Sequence, residues 1–254
     1  MAPQMADRLR ASGLHLLISL CVAALSAALV FLVLYPTPLA QACGVTEIFL
    51  LLLVVDISLG PLITLCVFNR AKPELKRDLL IVGLIQLAAL CYGLHTVYIA
   101  RPAYVVFAVD RFDLMYANDL DDAKLAPVTL SEFKQVPLLG PKTVAAILPA
   151  DSGERSALTF SSATGGADLH QLPKYYRPLV QAKADIIAKS RPLAELNNFN
   201  RAETAKVTQL AEKYRARQID AGFLPLKGKA QDVTVLINRA DGTVLEMVDL
   251  RPWL

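Results

Sequence analysis

The chain has 254 residues, 54% of them hydrophobic, with 26 Lys and Arg against 23 Asp and Glu for a net charge of +3. Mean hydropathy is +0.42 and only 19% of residues are charged, against about 25% in soluble domains, which argues against one ordinary water-soluble domain. Only six of the Lys and Arg precede residue 100, and the remainder of the chain is near neutrality, which excludes a nucleic-acid surface built on basic charge.

Residues 14–34 carry no charge, 48–68 carry only Asp56, and 79–99 carry only His95 besides Tyr and Cys. Each run is about 20 residues, which at 1.5 Å rise crosses a hydrocarbon core of roughly 30 Å. Three such runs predict three transmembrane helices. Arg8 and Arg10 precede the first, and Arg70, Lys72, Lys76 and Arg77 fill the loop between the second and third. The loop YPTPLAQACGVTE between the first and second has neither Lys nor Arg. The positive-inside rule then puts the N-terminus and the 69–78 loop in the cytoplasm, and everything after Arg101 on the other side. In a bacterium that places the protein in the inner (cytoplasmic) membrane with a periplasmic C-terminal domain.

A cleavable signal is the competing reading of the start, with Ala40-Gln41-Ala42 as the small-residue site. The apolar run is about twice the length of a signal core, and Pro36 and Pro38 separate it from the site. Cys21, Cys66 and Cys91 lie in the spans and Cys43 in the outer loop. No pair has metal-site spacing, and the C-terminal domain has no cysteine, so it must hold together by its core alone.

The division expected is therefore a membrane domain, 1–101, and a periplasmic α+β domain, 102–254, with an antiparallel sheet. AYVVFAVD (103–110) is β-branched and aromatic and reads as a strand, which RFDLMYA continues after a bend. Thr129 and Glu132 have capping-box spacing before a short helix at 130–134. KTVAAILP (142–149) and SALTFSS (156–162) read as two strands joined by a turn. LPKYYRPLVQAKADIIAKS reads as a helix from about Lys174 with Pro178 in its first turn, and a second helix runs over about 202–217. VTVLINRADGTVLEMVDL is a hairpin around Asp241-Gly242. Its first strand is apolar on both faces, which predicts a covered sheet position. The whole should be about five strands against two helices, joined to the third span with no Gly- or Ser-rich linker.

Asp56 is the residue that asks for an explanation. An acid at the centre of a span costs on the order of 2.5–3.5 kcal/mol for insertion, and such residues usually face other helices. Depth reckoning at 1.5 Å per residue puts Asp56 about 12 Å below the outer boundary, level with Ser26 and Tyr92, with Gln86 about one turn deeper. These form a candidate polar layer. Ser58, Gly60 and Thr64 are small enough for close helix contact, and Pro61 leaves the Ile57 carbonyl without its helical donor. Asp56 is either glue among the three spans or a contact for a partner's transmembrane helix. An aspartyl-protease site needs two carboxylates, and the span region offers one.

Other chemistry is sparse. His15 and His95 sit near opposite ends of their spans, His170 lies among polar loop residues, and Gly165-Gly166 lacks the surroundings of a phosphate loop. No Ser-His-Asp set or H-E-x-x-H occurs. The expectation is no catalytic residue, no metal site and no cofactor.

VDISLGPLITLCVFN, DLLIVGLIQLAALCYGLHTVYIARPAYVVFAVDRF, QLPKYYRPL and the terminal VDLRPWL together resemble the type IV pilin accessory protein family (TfpX/TfpZ-like), over nearly the whole chain. The resemblance implies a non-enzymatic inner-membrane protein that assists pilus assembly or dynamics. Its partners would be the major pilin and other pilus machinery. The matching positions are Asp56, Gly60, Pro61 and Asn69 in the second span, and Arg101, Pro102, Asp110, Arg111 and Phe112 at the domain entrance. Two rival classes stand beside it: a membrane-anchored periplasmic sensor or binding module acting with another membrane partner, and a small transporter subunit. Three spans with one acid make a poor conduit for the latter.

Overall fold

The computed structural model describes residues 2–253, with side chains from residue 4 onward. The chain forms two compact units: residues up to Val33 with Val45–Ile99, and Leu34–Gly44 with the residues from Ala100 on.

In the first unit α1 (Ala2–Ala28) runs on through a π-helical stretch, Leu29–Leu34. The short α2 (Leu39–Cys43) belongs to the second unit, and α3 (Val45–Val67) and α4 (Leu75–Ile99) complete the first. Gln4–Leu34, Val45–Val67 and Leu75–Ile99 are each long and apolar enough to cross a membrane. Leu and Ala are strong helix formers, and in lipid a helix satisfies its own backbone. Leu25, Leu32, Ile48, Leu51 and Ile85 point outward, as lipid-facing residues do. The chain is thus a membrane protein with three apolar N-terminal helices, as expected.

The second unit is α+β. Its elements are β1 (Pro102–Ala108), β2 (Arg111–Tyr116), α5 (Asp122–Leu125), β3 (Lys142–Ala146), α6 (Ser152–Ala163), β4 (Tyr176–Pro178), α7 (Lys183–Lys189), β5 (Arg191–Pro192), α8 (Thr204–Ala216), β6 (Ala221–Lys227), β7 (Val233–Asn238) and β8 (Val244–Val248). The sheet order is β4-β3-β1-β2-β6-β7-β8, with β5 pairing β6 beside it.

The expected antiparallel sheet is corrected to a mixed one. Five pairs are antiparallel, but β1 pairs β3, and β2 pairs β6, in parallel. Parallel neighbours need a crossover of a dozen or more residues. The 117–141 segment with α5, and the long stretch between β2 and β6, supply them. Strand direction between distant segments leaves no mark in local periodicity.

Two local readings are also corrected. Residues 156–162 lie in α6, because Asp151 caps it by accepting the Glu154 N–H at 2.7 Å. An N-cap bond of this kind is worth about 1 kcal/mol and sets the helix start. The helix expected from Lys174 begins only at Lys183, and Pro178 sits in β4. The residue before a proline is pushed out of the α region, so Arg177 extends and pairs with Ala145 instead. The C-terminal hairpin is present as read, with Gly242 at φ +71° in its turn.

The outer loop of the sequence reading is a built part of the second unit. Leu39 and Ala42 are buried in one core with Val105, Phe112, Leu224 and Val235. Gly44 ends α2 at φ +71°, and the Ala42 carbonyl accepts from Ala230 N–H at 3.0 Å. The opposite face of the sheet is covered by Tyr104, Val106, Phe133 and Tyr176. The small-residue stretch that resembled a signal site is therefore helical, with Ala40 and Ala42 buried.

Candidate functional site

Helix α3 lies against both α1 and α4. On α1 the serines at 12, 19 and 26 recur every seven residues, a spacing that keeps them on one face. Ser19, Ala23 and Ser26 are buried there, and Val30 in the π-helical stretch beyond it. α3 answers with Phe49, Leu53, Gly60, Pro61 and Thr64. Small residues let two backbones approach in lipid, where no hydrophobic effect drives association. The seam carries polar bonds as well: Ser12 Oγ donates to the Pro61 carbonyl at 2.9 Å, and His15 Nδ1 lies 2.6 Å from Thr64 Oγ1. From the sequence His15 is marked only as lying near the opposite end of its span from His95, and Ser12 is not singled out. The seven-residue serine spacing was the available signal.

Asp56 stands where α4 meets this seam. Gln86 Nε2 donates to the Asp56 carbonyl at 2.9 Å. Gly60 makes room for it, since a Cβ there would lie 2.2 Å from the Gln86 amide. The same device recurs at Gly93, whose Cβ would lie 2.0 Å from Leu52 Cδ1. Asp56 and Gln86 together line two grooves. A 190 Å³ groove also takes His15 and Ser19 of α1, and a 560 Å³ groove is walled by apolar residues of α3 and α4.

Of the sequence-predicted polar layer, Asp56 and Gln86 meet; of the residues expected at close helix contacts or a kink, Gly60 lies against Gln86, and Pro61 and Thr64 bond to α1. Ser26 is buried on the same stripe of α1. Ser58 is exposed and its hydroxyl bonds its own helix at Val55. Tyr92 is 75% exposed and stands apart. Depth arithmetic ignores azimuth: at 3.6 residues per turn, six positions beyond Gln86 lie about 120° around the helix. His95 is also exposed.

At the entrance to the sheet unit, Arg101 is buried and donates to the Pro137 carbonyl. Its own carbonyl accepts from Ala117 N–H at 2.9 Å, beside the Pro102–Tyr116 pairing. Arg111 Nε bonds the buried carboxylate of Asp113 at 3.1 Å, with Asp110 3.8 Å away. Phe112 is fully buried against Phe107, rings 5.4 Å apart. Arg111 and Asp113 also line a charged cleft of 280 Å³ with Asp119, His170, Lys227 and Lys229.

Near Ala42, burial pushes the Cys43 thiol up to about 11 and the Tyr35 and Tyr116 hydroxyls well above their ordinary value. Such a thiol is unreactive rather than nucleophilic. Among the described residues no His, Cys, Asp or Glu cluster could hold a metal. The arrangement offers hydrogen-bonding groups inside an apolar anchor, not a reacting constellation.

The family described as Fimbrial assembly protein FimB matches residues 3–44, the stretch that comprises the first apolar helix and the segment inserted into the sheet unit. The chain is 33% identical over 218 residues to "Fimbrial assembly protein, serogroup I" of Dichelobacter nodosus, covering 85% of this chain and 84% of that protein. It is 32% identical to the serogroup E1 protein over the same shares. It is 40% identical over 111 residues to the serogroups C1 and C2 protein, covering 43% of this chain and 85% of that one. No solved structure matches.

Proposed function

The chain belongs to the fimbrial assembly protein family, which is a type IV pilus accessory family, and from that premise we propose that it serves type IV fimbrial assembly by contacting the major pilin in the bacterial inner membrane. In this reading α1, α3 and α4 span the bilayer with the N-terminus and the 69–78 loop in the cytoplasm. The sheet unit then lies in the periplasm, as the Lys and Arg distribution supports. A pilin awaiting assembly has an apolar helix in lipid and a globular head outside it. The α3 surface receives the helix, the sheet unit touches the head, and other pilus machinery takes the pilin onward.

The observation that carries the reading is a polar contact set, Asp56 with Gln86, held at the floor of an apolar groove. No cofactor or catalytic step is invoked. Copurification of the detergent-solubilised protein with tagged pilin tests the contact. Deletion with a pilin blot beside a surface-pilus count separates the modes. Loss of pilin itself marks a chaperone, and normal pilin with few fibres marks a modulator of the machine. Unchanged pilin and unchanged fibres would end the proposal.

The charged cleft at Arg111 and Lys227 favours a second reading, a periplasmic binding module acting with another membrane partner. Its mark would be a normal pilus count with Arg111→Ala altering the response to an added ligand.

A further inference from the structure

The larger groove, between α3 and α4, has a floor unlike its walls. Its walls are residues such as Leu51, Val55, Ile85 and Ala89. Its floor is Asp56 and Gln86, and Gln86 Oε1 is buried with no hydrogen-bond partner. The inventory of groups is lopsided. The Asp56 carboxyl and the Gln86 amide present three oxygens, while the amide nitrogen has already given one of its two hydrogens to the Asp56 carbonyl. With Asp56 ionised, acceptors exceed donors and the buried Gln86 Oε1 is the one left over; only a protonated Asp56 donating to that oxygen would close the pair without a partner.

A buried acceptor left unpaired costs more than a made hydrogen bond returns, and hydrocarbon holds no water to repair it. Lipid acyl chains would fill the groove by shape but bring no donor. A helix whose side chain or terminus carries an N–H, O–H or ammonium would match both the walls and the floor. The geometry points to a specific occupant: the transmembrane helix of the pilin, seated in the α3–α4 groove and presenting a hydrogen-bond donor to Asp56 and Gln86. This rests on the proposal that the protein contacts pilin, and adds which surface does so and what the incoming helix must carry.

The test is site-specific photocrosslinking in cells, with benzoylphenylalanine placed at Ile85 on the groove wall or at Tyr92 on the exposed face. Each is combined with native Asp56 and Gln86, with Asp56→Leu, Asp56→Asn or Gln86→Leu. Expected is a pilin adduct from Ile85 and not from Tyr92. The yield should fall at least about five-fold in Asp56→Leu, the size of one lost interhelical hydrogen bond, and be largely kept in Asp56→Asn, which still accepts. A pilin adduct of undiminished yield in both Leu variants would overturn the donor requirement while leaving pilin contact intact. Lipid adducts alone at Ile85, with pilin still copurifying, would make the groove a lipid seat and overturn the inference. Failure of pilin to copurify at all would remove the functional reading. In that case an Asp56-dependent adduct with another identified membrane protein would overturn the pilin helix as the occupant. Membrane levels of each variant, read on the same blot, separate lost contact from lost protein.

Discussion

The carbonyl oxygen of Ala42 accepts the backbone N–H of Ala230 at 3.0 Å, which ties a segment lying between two apolar helices to the turn between β6 and β7. Leu39 and Ala42 are buried in the sheet core. Fully burying one Leu stabilises by roughly 1.5–3 kcal/mol, a sizeable share of a stability of about 5–15 kcal/mol. Residues from Ala100 on, produced without the 34–44 segment, should therefore bind a hydrophobic dye and lack a cooperative thermal transition. Joining residues 34–44 to that fragment through a flexible linker should restore one. A cooperative transition without the segment would show that it merely rests on a finished core.

The turn itself is crowded. A Cβ at Gly228 would lie 2.2 Å from the Gln231 carbonyl oxygen and 2.6 Å from that of Ala42. Both are backbone atoms and cannot swing aside. Gly228→Ala should destabilise the second unit by about 2 kcal/mol, as overpacking does. Gly165→Ala is the control: φ is +82° but the space around it is open, so only the left-handed penalty of about 1 kcal/mol applies. Chemical denaturation followed by near-UV dichroism measures both, and equal losses would contradict the crowding.

The membrane helices allow a sharper test through coupling. If Gly60→Ala acts by evicting the Gln86 amide, then Gln86→Ala removes the clash in advance. The double variant should be no less stable than Gln86→Ala alone, whereas independent effects would add. Each single loss should be near 1 kcal/mol. Melting temperatures in detergent decide this, and additive losses would mean that Gly60 serves the α1 contact instead.

The Asp241-Gly242 turn and the two-faced apolar pattern of β7 were legible because both are local: a turn needs two residues and a strand about six. The insertion of residues 34–44 was not legible, because Leu39 reads like any lipid-adjacent leucine until Phe112, Leu224 and Val235 are brought to it. The parallel pairing of β1 with β3 was hidden for the same reason. In the anchor, hydropathy located the helices and Asp56 marked the polar spot. Facing was the missing coordinate: depth alone groups Tyr92 with Asp56 and gives no reason to join Ser12 and His15 to Pro61 and Thr64.

Glu246 gives an acid-side prediction. Burial pushes its carboxyl up, but the Lys213 ammonium and the Tyr214 hydroxyl, each at 2.6 Å, outweigh that and hold it below its ordinary value near 4.5. A carboxylate lowered on folding adds stability above its unfolded value and loses it as pH falls through the folded one. Lys213→Met should therefore cost stability throughout the range above the unfolded value of Glu246 and move the acid-unfolding midpoint of the second unit upward, the difference from the native protein vanishing only where Glu246 is protonated. An unmoved midpoint would mean that the pair adds nothing.

Cys43 gives the alkaline counterpart. Burial is the main cause that raises its thiol from an ordinary value near 9 to about 11, opposed by the Tyr116 hydroxyl beside it. Between these values the unfolded chain releases the proton and the folded one keeps it. Stability is fully present below pH 9 and falls as pH rises towards 11. One proton over that interval is worth up to ~2 kcal/mol. Tyr35 and Tyr116 are raised with the same sign from an ordinary value of 10.0, so their share begins about one pH unit later. Cys43→Ala should remove most of the decline between pH 9 and 10 and lessen it from 10 to 11, where the tyrosine share remains. In the native protein Cys43 should resist alkylation at pH 8 and react once denaturant is added. Rapid labelling of the folded chain would mean that α2 leaves its seat against the sheet, which would also undo the account of Ala42 and Ala230.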